Sequence, residues 1–173
     1  MGVIQRLRQG FRHLLTPRVR MTDTQPPGEL SPAAQALYER LSPFDQAHAQ
    51  RVLAALRQAG TVSPDLAQAA LLHDVGKADA GITLVHRTLV VLLGRLSPRL
   101  LQRLAGDGRN RWSAPFYAAL HHEAIGAELA QRSGCSPRTV WLIRNHSLKS
   151  TPCGGIMTDD AELAALQAAD AAS

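Results

Sequence analysis

A chain of 173 residues, 45% hydrophobic but only 4% aromatic, has room for one core built mainly from Leu and Ala, plus a short extension. The net charge of +5 is supplied by Arg6, Arg8, Arg12, Arg18 and Arg20, and the rest of the chain balances 14 basic against 14 acidic residues, so a globally basic nucleic-acid-binding surface finds little support. No apolar stretch reaches bilayer length, arginines interrupt residues 1–20 too often for a signal peptide, and the isolated Cys135 and Cys153 read as reduced thiols of a cytoplasmic protein.

In chain order, Val3, Ile4, Leu7, Phe11, Leu14 and Leu15 recur at helical spacing with arginines between them. This predicts a basic amphipathic helix over residues 3–15, able to lie on an anionic membrane surface, dock a partner or pack on the domain. Residues 16–28 read as a Pro/Thr/Gly-rich linker, which separates an N-terminal segment (1–28) from a domain spanning 29–173. Within the domain, Ser-Pro pairs at Ser31, Ser42, Ser63, Ser97 and Ser136 each mark a helix start, because Ser caps a free N–H and Pro at the next position sacrifices no donor. Helices are predicted over 32–41, 43–59, 64–75, 82–96, 98–105, 115–132, 137–147 and 160–171. Gly60, Gly106 and Gly134 stand where stops are needed. No segment alternates as a strand does, so the domain is expected to be an all-α bundle of about seven to eight helices.

The chemistry concentrates at His73-Asp74, inside Ala70-Leu71-Leu72-His73-Asp74-Val75-Gly76-Lys77. An imidazole and a carboxylate at the end of an apolar helical run are costly to bury unless something pairs with them, and a divalent cation is the strongest partner. His48 lies 25 residues before His73, and His122, His146 and Asp170 follow Asp74 at intervals of 48, 24 and 24, which suits one ligand per helix. Neighbours on a helix point about 100° apart, so His73 and Asp74 converge on one ion only if the helix ends there, and Gly76 offers such an end. The mixed N/O set suits Mn, Fe, Co, Ni or Zn better than Ca, with Mg also admitted and the count left at one or two ions.

His48, His73-Asp74 and the distant Asp170 resemble the HD-domain superfamily of metal-dependent phosphohydrolases. Local strings agree: Leu71 to Lys77 resembles the HD-[IV]-G-K segment, His122 to Leu129 the second His helix with its Gly four residues on, Ile143 to His146 the third, and Leu166 to Asp170 the closing Asp helix. The resemblance covers roughly residues 33–173. It implies an HD-domain bundle in which His48, His73, Asp74 and Asp170 hold one metal, while Asp74 bridges to a second held by His122 and His146. The implied activity is hydrolysis of a phosphoester or phosphoanhydride, with a nucleotide as the substrate class. Asp74 and Lys77 are the expected catalytic residues, and Lys77, Arg144 and Lys149 the expected phosphate contacts. Two departures bear on this: Ser147 follows His146 where many two-metal relatives carry a second His, and the Gly-Tyr-Pro signature of the cyclic-di-GMP branch is absent.

Two other readings stay open, a catalytically silent HD regulatory module and a membrane-surface or partner-docking protein that acts through residues 3–15. His13, His86 and His121 read as non-ligands. Trp112, in the Gly106–Trp112 loop, is read as a packing anchor, with a lid over a nucleobase as the alternative.

Overall fold

The computed structural model describes residues 30–60, 62–148 and 160–173. The expected helix at 3–15, its linker, Lys149 and Cys153 lie outside the described residues. Among the described residues the chain is all-helical, with no strand. The helices are α1 (Pro32–Glu39), α2 (Pro43–Ala59), α3 (Pro64–Leu72), a 3-10 turn (Val75–Lys77), α4 (Leu84–Leu96), α5 (Pro98–Ala105), α6 (Ala114–Arg132), α7 (Pro137–Asn145) and α8 (Ala161–Ala172). None is long and apolar enough to cross a membrane.

Four of the five Ser-Pro pairs cap as the sequence predicts. The hydroxyls of Ser31, Ser42, Ser63 and Ser136 accept from the backbone N–H of Ala34, Asp45, Leu66 and Thr139. Ser97 makes no such bond, because it also ends α4 and its backbone is bent to serve both helices. α3 and α7 end earlier than predicted, at Leu72 and Asn145, so His73 and His146 stand at C-caps rather than inside helices. Both differences matter for the site.

α3 is almost wholly enclosed, with only Asp65 and Gln68 as polar residues, both half-buried. Leu66, Ala67, Ala69, Ala70, Leu71 and Leu72 are all buried, because α3 runs through the centre and packs on α1, α2, α7 and α8. A second, smaller cluster of Leu101, Ala105 and Phe116, backed by Leu89, Val90 and Leu93, seats the α4–α5 hairpin on α6. Arg87 ties that hairpin to α2 through a two-oxygen contact with the buried Asp45 carboxylate, at 2.8 and 3.0 Å.

Ser136 links two central helices. Its hydroxyl caps α7 and donates to Asp65 on α3, where the Thr139 hydroxyl also donates at 3.0 Å. Ser136→Ala should cost about 1–2 kcal/mol, the loss of a cap plus a part-buried hydrogen bond, read as a lower urea midpoint with an unchanged slope.

Candidate metal centre

The centre is built around the ends of α3 and α7. α3 delivers His73 as its C-cap in αR geometry (φ −56°, ψ −33°), and Asp74 then leaves the helix at φ −98°, ψ 4°. That break turns the Asp74 carboxylate back, placing Oδ1 3.7 Å from His73 Nε2. Sequence reasoning places the helix end at Gly76, but the chain already leaves the helix at Asp74, two residues earlier. Gly76 serves a different purpose: it has an ordinary backbone conformation, and a Cβ there would sit 2.1 Å from the carbonyl oxygen of His122. The 3-10 turn therefore lies directly on the α6 backbone. Gly126, one turn beyond His122, completes the approach, with its missing Cβ 3.3 Å from Gly76 N.

This contact brings His122 to the same carboxylate, Nε2 to Asp74 Oδ1 at 3.6 Å. α7 adds His146, whose ring centroid is 5.1 Å from that of His73 and 5.3 Å from that of His122. α2 adds His48, 5.3 Å from His73 between centroids, and α8 brings Asp170 Oδ1 to 2.8 Å from His48 Nε2. Among the described residues two groups could hold a metal ion: His48, His73 and Asp74, and Asp74, His122 and His146, with the ligand atoms of each lying within 4.8 Å of one another. Asp74 belongs to both. All six residues predicted as ligands are thus brought together. Asp170, near the chain end, is held in α8 rather than frayed.

The imidazoles are oriented alike. Nδ1 of His73, His122 and His146 faces the carbonyl three residues earlier, on Ala70, Ala119 and Ile143, at 2.9, 3.2 and 2.7 Å. A carbonyl only accepts, so each Nδ1 carries the hydrogen and each neutral ring presents the Nε2 lone pair to the centre. His73 Nε2 is buried and, among the described residues, has no hydrogen-bond partner, because Asp74 and Asp170 stand at 3.7 and 3.6 Å. Those separations are too long for a hydrogen bond. They match two ligands of one ion, which lie about 3–4 Å apart when each bond is about 2.0–2.2 Å. The residues present fit a divalent transition metal.

Charge is arranged accordingly. Burial alone would raise the Asp74 carboxyl, but the Lys77 ammonium and the imidazoles of His73 and His122 outweigh it and hold it well below the usual carboxylate range. Burial, aided by Lys77, pushes His122 down to about 4 against the pull of Asp74 and Glu123. Burial, and the nearby His73 ring with which it would compete for a proton, also lower His146. For His73 burial is opposed and outweighed by Asp74 and Asp170, and its basicity rises. Asp170 is lowered, burial being overcome by His48 and His73. A depressed carboxyl adds stability above the ordinary carboxylate range, near pH 4, and loses it as pH falls through the folded-state value. Metal-free wild type should therefore lose more of its urea midpoint between pH 7 and pH 3 than Asp170→Asn does.

Lys77 reaches inward, donating from Nζ to Asp74 Oδ1 at 2.6 Å, the oxygen that faces both groups. Arg144 is exposed; two residues before His146, it projects about 200° round the helix and is not gathered into the centre. His121 turns away against Tyr117, and His86 caps α4 with Thr83. Trp112 is 76% exposed, so it anchors no packing, in contrast to the expectation from sequence.

Glu123 is the residue that sequence reasoning misses. Its carboxylate lies 3.4 Å from His122 Nδ1 and accepts from the Ser147 hydroxyl. The available signal was its adjacency to His122, matched by that of Ser147 to His146. Ser147, noted only as a departure from His-His, thus links α6 and α7 beside their two imidazoles.

Compared with known proteins, the chain matches no family model, no curated protein and no solved structure.

Proposed function

We propose that this chain is a metal-dependent phosphohydrolase of the HD-domain kind, acting on a phosphoester or phosphoanhydride, with nucleotides as the substrate class. The observation that carries the reading is the buried His73 Nε2, without a hydrogen-bond partner among the described residues and set between the carboxylates of Asp74 and Asp170, beside two ligand groups that share Asp74. His48, His73, Asp74 and Asp170 would hold one divalent ion, and Asp74, His122 and His146 a second. Bound there, divalent cations supply Lewis acidity toward a phosphoryl oxygen and acidify water to near neutral pH.

The chain's own residues do the rest. The three Nδ1–H to carbonyl bonds fix the imidazole planes, so the rings need no reorientation to offer their lone pairs. Lys77 keeps Asp74 ionised, and its ammonium, at the edge of the ligand cluster, would be the side-chain cation nearest to a substrate phosphate held there. Access is on the side of Asp170 and His48, the most exposed side chains of the set at 36% and 18%.

A second reading, a module that binds metal or ligand without turnover, is favoured by the same Lys77 contact, in which an ammonium already neutralises the shared carboxylate, and by the outward position of Arg144. Elemental analysis of the purified protein, followed by a phosphoester and nucleotide screen with added Mn, separates the two. Wild type should carry one to two equivalents of metal, and His122→Ala should lose part of it while the first group keeps its share. Metal without turnover on any phosphorylated compound would favour the binding module. A wild type that neither retains nor takes up metal would sink the hydrolase reading.

A further inference from the structure

α4 is apolar on both sides. Its inner side, Leu89, Val90 and Leu93, packs on the small cluster over α6. Its outer side, where a surface helix is normally polar, shows Val85, Leu92 and Leu96 at 64%, 50% and 74% exposure. Leu100 and Leu104 extend the apolar surface onto α5. Both helices lie on α6, so their sides away from it form one outer layer. Trp112, at the end of the α5–α6 connection, stands exposed with the Arg111 guanidinium 5.3 Å from its ring centroid.

Charge on this layer is one-sided. Between Leu84 and Trp112 the chain carries six arginines, of which Arg87 is committed to Asp45, and a single acid, Asp107, whereas the rest of residues 21–173 holds eight basic and thirteen acidic side chains. Arg95, Arg99 and Arg103 are exposed on the two helices. A second copy seated face to face would set these arginines against themselves. The segment 3–15, itself arginine-rich and free of acids, would meet the same repulsion. The complement of an exposed aliphatic, arginine-rich face with an exposed Trp is an anionic lipid surface. Leu and Val enter the acyl boundary, arginines extend to phosphates, and Trp sits at the headgroup level.

We propose that the outer face of α4 and α5, with Trp112 at its edge, docks this protein on anionic phospholipid bilayers. The inference is independent of the metal centre. It is tested by co-sedimentation of the full chain with phosphatidylcholine vesicles, with and without roughly one-third phosphatidylglycerol, at physiological salt. The chain should sediment with the anionic vesicles only. Leu92→Gln/Leu96→Gln should weaken that binding at least about tenfold, and Arg95→Ala/Arg99→Ala/Arg103→Ala roughly a hundredfold. Both variants change exposed side chains and should keep the wild-type metal content. Absence of binding, equal binding to neutral vesicles, or binding undiminished in Leu92→Gln/Leu96→Gln would each overturn the proposal. So would a dimer, seen by sedimentation velocity without lipid, that the leucine variant converts to a monomer.

Discussion

Asp74→Asn is expected to empty the centre, removing all tightly bound metal and, with it, the proposed phosphohydrolase activity. No other residue belongs to both ligand groups, and its Oδ1 stands 3.6–3.7 Å from an imidazole of each. An amide keeps the shape but loses the charge that makes a mixed N/O site bind a dication. Since losing even an outer hydrogen-bond partner of a ligand typically costs 10- to 100-fold in metal affinity, loss of this shared ligand should exceed about a hundredfold. The readout need not be activity. Saturating Mn at about 100 times its Kd should stabilise wild type by about 2.7 kcal/mol, seen as a raised melting temperature, and leave Asp74→Asn unmoved. The variant also strips Lys77 of its partner at 2.6 Å, so its metal-free form should melt below metal-free wild type. An Asp74→Asn protein that still gains stability with Mn would show that the cluster binds metal without its shared carboxylate, and the two-group description would fail.

How far the site was legible in sequence depends on the kind of signal. The helix starts were readable because Ser-Pro is a local code: capping and the fixed φ of proline act within one turn, and four of five pairs cap accordingly. The six clustered residues were readable because regular spacing puts one polar group per helix at the same depth of a bundle. Helix ends near the site were not. α3 stops at Leu72 with no glycine or proline to signal it, because what stops it is tertiary: the turn after His73 must settle on the backbone of α6. The same limit hid the Glu123–Ser147 contact, which joins residues 24 apart in sequence. Trp112 misled for the opposite reason. A large aromatic in a loop usually finds a core, and nothing local reveals that this one stays exposed. Equal totals of charge likewise conceal the run of arginines between Leu84 and Trp112.

Among the described glycines, Gly76→Ala is expected to be the most damaging single-methyl change. The added Cβ would lie 2.1 Å from the His122 carbonyl oxygen and 2.8 Å from its carbonyl carbon and Cα, all backbone atoms of a long packed helix. A flexible side chain could swing aside, but helix backbone cannot, so the 3-10 turn and α6 must part. Overpacking typically costs about 1–3 kcal/mol, and a backbone-on-backbone clash belongs at or above the top of that range. The cost is not confined to stability. Val75 packs against Gly126 within the same contact, so separation draws Asp74 away from His122 and opens the second ligand group first. Gly76→Ala should therefore show a lower urea midpoint together with loss of the His122-dependent share of bound metal. Gly126→Ala, whose Cβ would meet Gly76 N at 3.3 Å and Ile143 at 3.4 Å, should give a milder version of both. Full metal content in a destabilised Gly76→Ala protein would mean that the turn can lift without moving Asp74, and the geometric link between helix contact and metal centre would be refuted.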